Sequence, residues 1–298
     1  MKLGDVEIDD TFAEAFEMRA TRLVVTADSA AWARQAGVTA TGFATSVIGC
    51  GLEAGIEREL TPEETPDGRP GMALLLFAVS SEALGKSVRE RVGQCILTCP
   101  GTACFAGLTG AETVQLGRAL RYFGDGFQAA KRIGDRRYWR IPVMDGEFLC
   151  EDLTPVVKAI GGGNLLILGR NRPGVLAAAE RAVAAMRRIE GVIMPFPGGI
   201  VRSGSKVGSR YKFMIASTND AYAPVLKGVV ASALAPDVSH VLEIVIDGLT
   251  EAAIGGAMAA GMRAASAGGG PGDVVRITAG NYGGKLGAFH FHLHELLR

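Results

Sequence analysis

Two stretches of this 298-residue chain combine residue types that can do chemistry. The first is Val241 to Gly248, VLEIVIDG, where an acid interrupts a hydrophobic run. In a strand, alternation places Leu242, Ile244 and Ile246 on one face and Glu243, Val245 and Asp247 on the other. Asp247, beside Gly248, reads as a turn residue. Glu243 lies inside the strand, where loss of water raises a carboxyl pKa and makes a usable general acid or base. An exposed strand face or a structural ion pair would also account for Glu243, and the residues alone leave those readings open.

The second stretch, Pro195 to Pro224, reads PFPGGIVRSGSKVGSRYKFMIASTNDAYAP. Gly198, Gly199, Gly204 and Gly208 let backbone amides face a ligand without side-chain obstruction. Arg202, Lys206, Arg210 and Lys212 precede the first acid, Asp220, and suit carboxylates or phosphates on a substrate tail. Ser217, Thr218 and Asn219 are neutral hydrogen-bonding groups of the kind that stabilise an oxyanion. A solvated basic loop would explain the charges but not the polar cluster. Taken together, the residue types point to acyl transfer.

Other motifs carry less. Gly49-Cys50-Gly51 through Gly55 mimics a dinucleotide fingerprint, but Pro62 and the turn-rich EETPDGRPG leave no room for the long helix a pyrophosphate needs. Ser203-Gly204-Ser205-Lys206 matches S-x-x-K, yet the flanking glycines argue for a loop where that nucleophile motif must open a helix. His290, His292 and His294 alternate, so one strand face would carry all three. With His240 the only other histidine, a zinc site lacks ligands, and an edge-strand or interface role is the better account. Cys95, Cys99 and Cys104 lack CxxC spacing and read as buried small hydrophobes. No metal is expected.

These residues need a frame, and the hydrophobic pattern supplies one. Leu23 to Ala27 is a short apolar strand, after which Asp28 and Ser29 can cap a helix over Ala30 to Ala36. Met72 to Val79 is a second buried strand. Ser80 and Ser81 lead from it into a helix with Leu84, Val88 and Val92 at four-residue spacing. The second half repeats the order. Leu165 to Leu168 is a strand, and Pro173 opens a helix presenting Leu176, Ala179, Val183 and Met186. Leu242 to Ile246 is a strand again, with Thr250 and Glu251 opening a helix that ends near Ala265. Two strand–helix pairs per half predict an α+β chain of two lobes from an internal duplication, 1–150 and 151–298, each a split β-α-β unit.

Composition sets the outer limits. The 31 basic and 31 acidic residues cancel, which gives no reason to expect nucleic acid or an anionic membrane as partner. The N-terminal MKLGDVEIDD is acidic where a signal peptide starts basic, and no segment reads as transmembrane. Five cysteines, an odd number, fit reduced thiols and a cytoplasmic location.

Beyond these local patterns, the chain resembles the formylmethanofuran–tetrahydromethanopterin N-formyltransferases over nearly its whole length. The matching stretches are EIDDTFAEAFEM from Glu7, ATGFATSVI from Ala40, PEETPDGRPG from Pro62, YFGDGF from Tyr122 and IPVMDGEF from Ile141. PFPGGIVRSGSKVGS from Pro195, ASTNDAY from Ala216 and AGNYGGKLG from Ala279 follow; only Leu108 to Arg121 and Ala223 to Asp237 stand outside. The resemblance implies two ferredoxin-like α/β-sandwich lobes and reversible formyl transfer between the amine of methanofuran and N5 of tetrahydromethanopterin. It implies no tightly bound cofactor, the two carriers being substrates, and assembly into dimers and tetramers. The family's proposed catalytic glutamate falls on Glu243. The neutral, alanine- and arginine-rich composition departs from strongly acidic archaeal members. It is similar to bacterial methylotroph versions, which belong to a formyltransferase/hydrolase complex in formaldehyde oxidation, and this puts further subunits among the expected partners. Arg202, Lys206 and Arg210 as tail contacts and Ser217, Thr218 and Asn219 as polar contacts come from position and chemistry alone. A scaffold protein that has lost the chemistry, and a folate-dependent formyltransferase, are the competing readings.

Overall fold

The computed structural model of the chain describes residues 1–268, 270 and 273–298. It divides into two compact units, one of Glu17–Gly161 with Gly248–Thr250, the other of Met1–Phe16, Gly162–Asp247 and Glu251–Arg298. This differs from a cut at 150/151 at both ends. The first residues join the C-terminal unit because Val6–Ile8 pairs in parallel with Arg276–Thr278, and Phe12 to Ala15 pairs with Phe289–His292. Residues 151–161 stay with the first unit, where Leu153–Pro155 pairs antiparallel with Thr113–Gln115. Local apolar runs report neither pairing.

In the first unit the order is β1 (Phe12–Thr26, from Glu17 onward), α1 (Ala30–Thr41), β2 (Glu53–Leu60), β3 (Gly71–Ala78), α2 (Ser81–Arg91) and β4 (Ala103–Ala106). Side by side the strands run β2-β3-β1-β4. The helices begin where the hydroxyls predict. Ser29 Oγ accepts from Trp32 N at 3.3 Å and Ser80 Oγ from Ala83 N at 3.2 Å, satisfying amides the first turn leaves open. All eight residues of β3 are buried, and Leu74 and Leu76 join Leu23, Val25, Leu84 and Val88 in one core. The GxG-like run after Val47 leads not to a long helix but, past Gly51 at φ +72°, straight into β2.

The second unit repeats the plan with β5 (Val157–Gly169, from Gly162 onward), α3 (Arg172–Met186), β6 (Val192–Ile193), β7 (His240–Gly248), α4 (Glu251–Ser266) and β8 (Arg276–Thr278). The spatial order is again β6-β7-β5-β8. Asn171 caps α3, its Oδ1 accepting from Gly174 N at 2.8 Å. The buried face of α3 is Val175, Ala178, Ala179, Ala182, Val183 and Met186. Leu176, expected on that face, is 40 % exposed; Val175, one position earlier, occupies the core. α3 packs on α4 closely enough that a Cβ at Gly261 would lie 2.0 Å from Met186 Cε. No helix among the described residues is long and apolar enough to cross a membrane.

Candidate active site

The site grows from β7. Its middle residue, Glu243, exchanges two backbone hydrogen bonds with Val201: Val201 N donates to Glu243 O at 2.7 Å and Glu243 N to Val201 O at 2.9 Å. The second charged, glycine-rich stretch of the sequence is thereby fastened to the strand that carries the acid. Two adjoining cavities result. A cavity of about 670 Å³ has Asp9, Lys206, Asn219, Glu243 and Tyr282 in its wall. A second, about 290 Å³, has Arg202, Thr218, Asn219 and Glu243. Glu243 and Asn219 face both. Burial raises the Glu243 carboxyl from 4.5 to about 7, where it gives and takes protons readily.

The sequence-predicted contacts separate into two groups. Arg202, Lys206, Thr218 and Asn219 line the Glu243 cavities. Arg210 and Ser217 do not. Ser217 Oγ donates to Gly208 O at 2.7 Å, inside the small hairpin that Lys206–Val207 forms with Ala216–Ser217, so its hydroxyl holds the turn. Lys206 is tied to Asp220 at 2.5 Å, and that pairing pulls the Asp220 carboxyl below its ordinary range. Gly204, at φ +58°, precedes this short strand, so S-x-x-K opens no helix.

Asp247 corrects the sequence reading. It is fully buried within β7, and its Oδ1 accepts from Gly162 N at 3.1 Å, so it ties β7 to β5 and is not a turn residue. The three histidines also part company. The strand ends at His292, while His294 stands in the short helix Leu293–Leu296 and its Nε2 meets Ile8 O at 2.8 Å. His290 and His292 flank Phe12, with ring centroids 4.9 and 5.2 Å away. Among the described residues no group of three or more His, Cys, Asp or Glu is arranged to hold a metal. Cys104 and Cys150 are buried, whereas Cys50, Cys95 and Cys99 are only partly so.

Sequence reasoning missed the part of the larger cavity's wall that Asp9, Arg276 and Tyr282 supply. Asp9 there is gripped by Arg276, whose Nε donates to Oδ1 at 2.7 Å. Burial works against ionisation of Asp9, but the Arg276 hydrogen bonds outweigh it and hold the carboxyl below its usual range. Asn164 Oδ1 accepts from Gly280 N at 2.6 Å and its amide donates to Gly280 O at 3.1 Å, fixing the start of the segment that brings Tyr282 to the cavity. The available signal was the glycine-rich AGNYGGKLG itself, a loop rich in backbone donors with an aromatic residue at its centre.

Comparison with known proteins gives this site a family. Residues 1–143 match the model of formylmethanofuran-tetrahydromethanopterin formyltransferase, and residues 146–296 the model of its proximal lobe. The chain is 61% identical over 297 residues to a Methylococcus capsulatus protein named formylmethanofuran–tetrahydromethanopterin formyltransferase, covering 100% of both chains. It is 59% identical to a subunit of the formyltransferase/hydrolase complex of Methylorubrum extorquens, covering 99% of this chain and 97% of the relative. The X-ray structure of the formyltransferase/hydrolase complex from that organism, in complex with methylofuran, contains a chain that superposes with TM-score 0.98. That chain is 58% identical, with 100% of this chain and 99% of that one covered.

Proposed function

The chain belongs to the formylmethanofuran–tetrahydromethanopterin formyltransferase family, and from that premise we propose that it moves a formyl group reversibly between the amine of methanofuran, or a bacterial analogue, and N5 of tetrahydromethanopterin. The observation that carries the mechanism is Glu243: an acid titrating near 7 by burial, in the shared wall of two adjoining cavities. The neutral attacking nitrogen forms a bond to the formyl carbon while its proton passes to the Glu243 carboxylate. The carbonyl π pair moves onto oxygen, giving an anionic tetrahedral intermediate. On collapse the C=O re-forms, the bond to the other nitrogen breaks with its electron pair, and that nitrogen takes the proton back from Glu243. Glu243 begins and ends as carboxylate in either direction. The scheme asks for no covalent nucleophile, so no cysteine has a role in it and no tightly bound cofactor is required.

Asn219 and Thr218 hydrogen-bond the reacting carriers in this reading, and Arg202 and Lys206 meet anionic tails, which their positions in the cavity walls support. The chain acts in the cytoplasm as the formyltransferase component of a larger complex, a reading supported by its likeness to the Methylorubrum complex protein. The purified chain, supplied with formylated methanofuran analogue and tetrahydromethanopterin, is expected to transfer formyl, and Glu243→Ala to lose about 10²–10⁴-fold in kcat, the range for a general acid–base group. A wild-type chain silent alone would support the scaffold reading. Equal or better turnover with tetrahydrofolate would overturn the carrier assignment.

A further inference from the structure

Tyr282 reaches the Glu243 cavity on a loop that a single buried carboxylate holds in shape. Glu14 lies on the Phe12–Thr26 strand with no exposed surface. Its Oε2 accepts from Tyr282 N at 2.6 Å and Gly284 N at 2.9 Å, and its Oε1 from Leu286 N and Gly287 N, each at 2.6 Å. Burial alone would raise this carboxyl, but the four backbone donors outweigh it and bring it down to about 2, so Glu14 stays an anion throughout the working range. The loop is built for that anion. Gly283 and Gly284 sit at φ +73° and +69°, where a side chain is strained, and a Cβ on Gly287 would lie 2.4 Å from Ala15 O. Asn281 pins the entry, its amide donating to Phe12 O at 3.1 Å. The Tyr282 ring is held 6.1 Å from that of Phe16.

All this order ends in one phenol in the cavity wall. No side chain among the described residues hydrogen-bonds the Tyr282 hydroxyl, although the ring lines the cavity with Glu243. Burial first, then the charges of Glu243 and Glu14, holds the phenol above its usual range, so it remains a neutral donor while Glu243 titrates. Both groups are raised, Glu243 into the range where it exchanges protons and Tyr282 further from losing its own, which suits two roles, a proton carrier and a permanent donor. The reaction needs both. When the carbon–nitrogen bond forms and the carbonyl π pair moves onto oxygen, that oxygen needs a donor that the proton transfer at nitrogen does not consume.

We propose that Tyr282 is a second catalytic residue, its O–H donating to the formyl oxygen of the tetrahedral intermediate, and that Glu14 is the positioning residue that holds Tyr282 there through the Tyr282–Gly287 amides. The proposal rests on the formyl-transfer reading. In a steady-state assay of the full chain with both carriers, Tyr282→Phe is expected to lower kcat about a hundredfold. KM for each carrier should change less than about threefold, because the lost bond belongs to the intermediate. Glu14→Gln, which turns an amide NH₂ toward backbone N–H donors, is expected to lower kcat in wild type and to add almost nothing in the Tyr282→Phe background. A merely structural Glu14 would lower kcat by the same factor in both backgrounds. Should Glu14→Gln fail to fold, Tyr282→Phe still decides the catalytic assignment. Wild-type activity with Tyr282→Phe at more than a third of wild-type kcat would overturn this inference alone, while a wild-type chain without transfer would overturn both readings.

Discussion

The two units place different residues at one position of the same plan. Counting back eight residues from the first residue of the following helix gives Ala73 in β3 and Glu243 in β7. Each sits on the third strand of a β-α-β-β-α-β order, and each meets a residue of the preceding chain: Arg58 opposite Ala73, Val201 opposite Glu243. What differs is the connection. In the first unit β2 runs the length of β3 and returns through a ten-residue turn, 61–70, so β3 is closed over and wholly buried. In the second, β6 has only two residues, and the chain makes a long excursion, 194–239, before β7 begins. That excursion pairs with β7 at Val201, and its residues line the two cavities that share Glu243. The longer connection of the second unit is what sets the basic, glycine-rich stretch beside Glu243.

The electrostatics follow the same division. Ala73 faces a cavity of about 420 Å³ whose wall includes Arg22, Arg58 and Arg136. These arginines are ion-paired with Glu57, Glu64 and Glu151 at 2.6, 2.6 and 3.5 Å. A carboxylate set there would stay ionised beside guanidinium groups, whereas Glu243 is governed by burial alone.

A position swap tests this most severely. Glu243→Ala combined with Ala73→Glu is expected to remain about 10²–10⁴-fold below wild type in kcat, since an acid at 73 faces a separate cavity walled by ion-paired arginines and not the one proposed to hold the carriers. Recovery to within tenfold would show that the strand position alone suffices. The smaller effect is on stability. Glu243 is an acid with a folded-state pKa above its unfolded value. It therefore costs nothing below about pH 4.5 and its full penalty above about pH 7. Glu243→Gln is expected to be more stable than wild type by about 3 kcal/mol at pH 8, with the gain fading toward pH 4.5 in urea titrations. A gain that grew on acidification would contradict burial as the cause.

Much of the frame was legible because local physics writes it into the sequence. The hydroxyls before Ala30 and Ser81 and the proline at 173 mark helix starts, and the apolar run from Met72 reads as a buried strand, which the structure ends at Ala78 with Val79 exposed. Glu243 was legible as an acid out of place. The cage around Glu14 was not, since donor and acceptor lie 268 to 273 residues apart and no local rule couples them. Asp247 misled for a related reason. An acid beside glycine is a turn signal, and only the chain at Gly162, arriving from 85 residues away, makes it a buried anchor. Arg210 and Ser217 share composition with the cavity walls but line neither cavity, and the Ser217 hydroxyl is engaged in the hairpin's own turn.

The central claim is that Glu243 carries the proton as a carboxylate made more basic by burial. Its most direct test is the pH dependence of kcat/KM for formyl transfer, compared between wild type and Glu243→Gln. The account predicts that wild-type kcat/KM falls about tenfold per pH unit below an apparent pKa near 7, and that the variant, slower throughout, lacks this limb. The same limb in both proteins would place the titrating base elsewhere and contradict the account.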